Sequence, residues 1–156
     1  MPRTYIVPFE NVLVSAAQDL VSLKGSSGKT CKLKRIWVGG TDTTLQTAQG
    51  LRIRCRYFPA TMTLGSGGTV PTPTPVDPGD AAASFTAHAN DTSQATTSGT
   101  AVNLPCTGVH NYGGLDFTFP NPPVFGLNEG VSFELLSTVS GTVHLSGGAE
   151  VEETGS

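Results

Sequence analysis

The sequence predicts an all-β protein: a single antiparallel β-sandwich domain over residues 1–156, jelly-roll-like, with one long Pro/Gly-rich loop. Three observations carry that reading. Apolar and polar residues alternate with period two in short runs, as half-buried strands require. Turn formers are abundant between the runs, with 19 glycines and 11 prolines. Charged residues reach only 13%, too few to coat a helix bundle or to keep a chain disordered by self-repulsion. A chain of 156 residues buries roughly 70% of its unfolded surface, so a core forms without help from a metal or a disulfide.

The elements run in order along the chain. Residues 4–14 are β-rich, and Pro8 assigns part of that run to an edge or a bend. Residues 18–23 lead into a Gly/Ser turn at Gly25–Gly28. In residues 31–38, Cys31, Leu33 and Trp37 read as one face and Lys32 and Lys34 as the other, although Arg35 and Ile36 interrupt the pattern. Residues 51–58 alternate best: Leu51, Ile53, Cys55 and Tyr57 against Arg52, Arg54 and Arg56. Residues 59–83 read as an extended loop or arm, polyproline-like through Pro71, Pro73, Pro75 and Pro78, with Asp77-Pro78-Gly79-Asp80 as a tight turn. Short strands resume at 84–89, 101–104, 115–119, 131–136 and 142–151, and 152–156 reads as a flexible tail. The total is eight to ten short strands, the spacing of a sandwich or jelly roll.

Charge is unevenly placed. All nine basic residues lie at or before Arg56, opposed there only by Glu10, Asp19 and Asp42, whereas residues 57–156 carry nine acids and no base. Either early and late strands interleave and the charges pair across them, or the surface is bipolar and docks on a partner. The stripe Arg52, Arg54, Arg56 is the strongest electrostatic feature, read either as a solvated face or as a contact for an acidic partner. A pI near 5.5 speaks against nucleic acid, and no run approaches the ~20 apolar residues of a membrane span. Three cysteines without a C-x-x-C pair, after an N-terminus that does not read as a signal peptide, suggest reduced thiols in a chain made in a cytoplasm.

Motifs for chemistry are weak, and the chain reads as a non-enzyme with no cofactor and no metal. Gly25-Ser-Ser-Gly-Lys-Thr30 ends like a phosphate-binding loop, but Leu23 stands where the first glycine belongs and a strand, not a helix, comes next. A flexible hairpin turn is the plainer reading. Cys106-x-x-x-His110, with His88 and His144 apart, lacks the paired spacing of a zinc site. Asp116 with Glu134 is a carboxylate pair of the kind glycosidases use only by combinatorial chance.

Ala16-Ala-Gln-Asp-Leu20, two β segments ending in L-R-I-R-C-R, and the stretch Thr69–Thr92 with its P-x-P-x-D-P-G-D segment together resemble small virion proteins of tailed phages and prophages, similar to head decoration (cement) proteins. The resemblance covers residues 10–155. It implies a β-sandwich that assembles, often as a trimer, on the capsid surface of a virion after synthesis in the bacterial host cytoplasm. The implied partners are the major capsid protein and copies of itself, without direct contact to nucleic acid or membrane. Such families bring no catalytic residues. On this reading Arg52, Arg54, Arg56, Pro71, Pro73, Pro75, Asp77 and Pro78 form the interface. The alternative is a tail-fibre or receptor-binding module that takes glycans, for which one Trp and three Tyr are a thin aromatic supply.

Overall fold

A computed structural model describes residues 1–155, with the side chains of Pro105 and Cys106 outside the description. The strands are β1 (Arg3–Val14), β2 (Gln18–Lys24), β3 (Thr30–Gly40), β4 (Gly50–Phe58), β5 (Met62–Thr63), β6 (Thr74–Pro75), β7 (Thr86–Asp91), β8 (Thr96–Thr97), β9 (Val102–His110), β10 (Gly114–Thr118), β11 (Val124–Phe125), β12 (Gly130–Leu135) and β13 (Val143–Thr154). Sheet A runs β10-β3-β13-β1-β6, with β11 also on β3, and sheet B runs β7-β2-β12-β4-β9. All their pairings are antiparallel. Numbering the eight principal strands β1, β2, β3, β4, β9, β10, β12 and β13 from one to eight gives 6-3-8-1 in one sheet and 2-7-4-5 in the other. That is the double Greek-key winding of a jelly roll. The all-β sandwich expected from the alternation is therefore the fold.

The core lies between the sheets. Sheet A contributes Tyr5, Val7, Leu33, Ile36, Val38, Leu145 and Val151, and sheet B contributes Leu23, Leu51, Ile53, Cys55, Phe133 and Leu135. Leu51, Ile53 and Cys55 thus face inward as their alternation predicts. Pro8 sits where β1 has only β13 as neighbour, since β6 reaches no further than Tyr5 and Ile6. Its missing N–H costs no ladder bond there.

Three expectations are corrected. Trp37 does not share a face with Cys31 and Leu33. A bulge between Glu150 and Val151 on β13, opposite Arg35 and Leu33, leaves Lys34 as an extra residue and reverses the parity of the residues beyond it. Ile36 and Val38 therefore enter the core, and Trp37 stands on the outer face. Residues 152–154 are not a flexible tail: Glu152, Glu153 and Thr154 pair with Lys32, Cys31 and Thr30, and Glu153 is buried. The Gly25–Gly28 turn is not a hairpin, because β2 and β3 belong to different sheets. It carries the chain across the sandwich, with Gly28 at φ +74°, where glycine is favoured.

The Pro-rich loop is ordered against its own domain. Thr69 and Ala89 of β7 exchange both backbone hydrogen bonds, at 2.8 and 2.9 Å. Thr74 and Pro75 then pair with Ile6 and Tyr5 of β1, and Val76 N–H reaches Thr4 C=O at 2.9 Å. The segment thus runs from the edge of sheet B to the edge of sheet A and clasps that side of the sandwich. Asp80 N–H closes the Asp77–Asp80 turn on Asp77 C=O at 3.0 Å, and Asp77 Oδ1 also accepts Gly79 N–H at 2.9 Å. The opposite side, between edge strands β9 and β10, keeps an apolar cleft of about 160 Å³.

Candidate functional site

Early bases and late acids pair across strands. Lys32 and Lys34 meet Glu152 at 2.9 and 3.4 Å, Arg3 meets Asp80 at 3.3 Å, and Arg35 meets Asp116. The interleaving of early and late strands places the two halves of the charge distribution side by side. Lys32 holds the Glu152 carboxyl below its ordinary range, and the Arg35 hydrogen bonds do the same for Asp116.

The arginine stripe divides. Arg52 is exposed. Arg54 and Arg56 instead grip Glu134 of the neighbouring β12, with Arg54 Nε donating to Oε2 at 2.9 Å and Arg56 Nε to Oε1 at 2.7 Å. Glu134 is fully buried, while the two guanidinium groups are 23% and 21% exposed. The open contact stripe expected over all three residues is thus reduced to Arg52. A pair of guanidinium groups on one strand face repels unless a carboxylate lies between them, and Glu134 supplies it.

This polar layer lies on the outer face of sheet B, yet it is buried because β5 and β8 fold over it as a flap. Met62 pairs with Thr97 and Thr63 with Thr96, and Phe58, Met62 and Ala95 make a small second core. Under the flap, Asp19 accepts Ala95 N–H at 2.7 Å and Asp91 accepts Gly68 N–H at 3.2 Å. Ser132 donates to Glu134 at 2.8 Å, and Ser22 Oγ has no partner among the described residues. Burial pushes the Asp19 carboxyl up to about 7, opposed by the Ala95 hydrogen bond and reinforced by the nearby Glu134 charge. Met62 Sδ would lie 2.1 Å from a Cβ on Gly130, so glycine there lets the flap seat. Asp19 had no legible partner in the sequence, since the flap that buries it comes from residues 61–97, remote from β2.

The remaining candidates separate. Asp116 belongs to sheet A and is held by Arg35, and Glu134 belongs to sheet B and is held by Arg54 and Arg56, so they do not form a two-carboxylate site. His88 Nδ1 contacts Asp91 at 3.1 Å and His144 Nδ1 contacts Asp42 at 2.8 Å, on different sheets. The Cys106 side chain of the Cys106/His110 spacing lies outside the described residues. Thr30 opens β3 directly after Gly25–Lys29, so no helix N-terminus is present to cradle a phosphate. Pro71, Pro73 and Pro75 are half-buried along the clasp, whereas Asp77 and Pro78 are exposed. Val70 and Val76 project from the same segment at 68% and 60% exposure, and Val76 borders the same hollow as Met1.

One surface feature is not foreseen by the alternation pattern. On the outer face of sheet A a trough of about 440 Å³ runs beside Trp37, lined by Gly39, Gly40, Thr41, Gly114, Asp116, Ser146 and Gly147 among others. The broken alternation at Arg35-Ile36 is its signal in the sequence, because the bulge there is what turns Trp37 outward. No family model, no curated protein and no solved structure matches this chain.

Proposed function

We propose that this chain is a virion structural protein, a decoration protein that binds the phage head shell as a homotrimer, and that it works by binding rather than by catalysis. The observation that carries the reading is the clasp. Its prolines and its sheet-edge hydrogen bonds hold Val70, Val76 and Pro78 outward in one conformation, so an apolar ridge is ordered before any partner arrives. Ordering a loop at an interface costs affinity, and a ridge already fixed avoids most of that cost. Many copies on one shell add up even where each contact is modest. The jelly-roll winding suits the role as an analogy only, since the same winding builds viral capsid and lectin domains.

Arg52, Asp77 and Pro78 are the interface residues expected from the sequence that remain exposed, and the proposed shell contact lies there and on Val70 and Val76. The test is mass spectrometry and electron microscopy of purified virions, joined to light scattering of the isolated protein. Stoichiometric density on the heads and a trimer in solution or on the particle are expected. Absence from virions overturns the reading. Unchanged head occupancy for a Val70→Asp, Val76→Asp double variant removes the ridge from it.

A further inference from the structure

We propose that the Trp37 trough is a binding site for a neutral hexopyranose, and that one aromatic wall held in advance is what makes it one. The inference is independent of any role on a capsid.

Trp37 is positioned by its strand and by a neighbour that is itself fixed. The strand parity set by the bulge at Lys34 turns it out of the core. Behind it, the Arg35 guanidinium stacks on the indole, 5.2 Å from the ring centroid. That guanidinium is fixed in turn by Asp116, which accepts Arg35 Nε at 2.7 Å on one oxygen and Nη2 on the other. The planar fork leaves Arg35 little freedom. Along β3, Arg35 precedes Trp37, and Gly39 and Gly40, which line the trough, follow it. The indole is half-buried, with Cζ2 2.8 Å from where a Cβ on Gly148 would stand, backed by Arg35 and bordering the trough.

The floor is a row without side-chain bulk. Gly39 pairs with Gly114 on one side and with Ser146 on the other. Those two interstrand steps span about 10 Å, about the length of a disaccharide. A Cβ on Gly39 would meet nothing closer than Gly113 O at 3.8 Å, so the space above it is open.

Polar groups stand at the rim. Asp116 keeps a lone pair on each oxygen beyond those given to Arg35, and Ser146 Oγ accepts Asn11 N–H at 2.8 Å while retaining its own proton to donate. An aromatic wall, a flat floor and a few fixed acceptors and donors match a ring with one apolar face and equatorial hydroxyls. A charged sugar is disfavoured, because Arg35 and Asp116 already neutralise each other.

Trp37 is the one tryptophan of the chain, so its emission reports this site alone. The experiment titrates the protein with the methyl glycosides of glucose, galactose, mannose and N-acetylglucosamine and with their β-linked disaccharides, read by Trp emission and saturation-transfer NMR. At least one is expected to bind in the millimolar range, with the disaccharide tighter. Gly39→Leu, which fills the floor, should weaken binding about tenfold or more with an unchanged thermal midpoint. Should that variant fail to fold, Trp37→Ala read by saturation transfer tests the same contact and should show the same loss. No response to any sugar at tens of millimolar, or equal binding by the filled variant, overturns the assignment.

Discussion

The buried Asp19 carboxylate of β2 accepts the backbone N–H of Ala95 at 2.7 Å, joining sheet B to the flap that covers it. Arg56 reaches the same flap residue from β4, with Nη2 at 3.5 Å from Ala95 C=O. The flap therefore closes on a group whose charge state is set by its own closure: covering Asp19 removes water, and removal of water favours the neutral acid.

That relationship gives stability a pH dependence. The folded-state carboxyl titrates near 7 against an ordinary 3.8, so folding favours the protonated form. The contribution is fully present below about pH 4 and is lost progressively as pH rises to about 7. Asp19→Asn keeps an oxygen for Ala95 and lacks the charge. It should match the wild type near pH 4 and exceed it at pH 8 by roughly 4 kcal/mol. Urea unfolding across that range checks it, and parallel curves for the two proteins would contradict the assignment to Asp19.

Glu134 makes the opposite prediction. Removing it leaves Arg54 and Arg56 facing each other with no carboxylate between them. Glu134→Ala should cost about 3 kcal/mol, as breaking a buried ion pair does, whereas Arg52→Gln should change stability by about 0.5 kcal/mol or less, as at other exposed sites. Equal costs for the two variants would mean that the stripe acts as one solvated surface after all.

Cys31 and Cys55 lie inside the sandwich, on β3 and β4, with burial pushing both thiols up to about 12. Neither should react with a thiol reagent at pH 8 while the protein is folded. The Cys106→Ser variant isolates them: no labelling when native and two equivalents after unfolding are expected, with the intact mass of two free thiols. A 2 Da deficit in the non-reduced protein would instead show a bridge.

Much of the fold is legible because period-two alternation reports burial directly. Leu51, Ile53, Cys55 and Tyr57 face the core side as their spacing says, and a sandwich follows once nine or so such runs must share one interior. Its jelly-roll winding is seen only in the strand order. Residues 31–38 depart from their pattern at Trp37 because a bulge is a property of two strands. Lys34 is extra only in relation to Glu150 and Val151; the interrupted alternation at Arg35-Ile36 marks the place on β3 but not which residue is extra. The arginine stripe departs for a similar reason. Its outward direction is right, but whether outward means exposed depends on a flap built from residues 61–97. Pairing of early bases with late acids is foreseeable as one of two outcomes, since interleaved strands in a sandwich leave such charges few other neighbours.

The clasp supplies the last prediction. As a free arm, residues 70–78 could be exchanged for a Gly/Ser linker of equal length with no effect on the monomer. As an ordered strap they carry the Thr74–Ile6 and Pro75–Tyr5 pairings and the Val76-to-Thr4 bond, and they lead into Asp80, whose carboxylate meets Arg3. A Gly/Ser chain also enlarges the unfolded ensemble that folding must narrow, so the exchange acts on both states. The linker variant should lose on the order of 1–3 kcal/mol, or several degrees of thermal midpoint for a domain of this size. Hydrogen exchange should quicken at Ala89, whose N–H is held by Thr69 C=O, and stay slow in β12. Thr69→Pro isolates one end, because proline removes the N–H given to Ala89 C=O. It should raise exchange at the β7 edge and leave Val76, at the other end of the strap, protected. An unchanged thermal midpoint together with unchanged exchange at Ala89 in the linker variant would return the segment to a free arm.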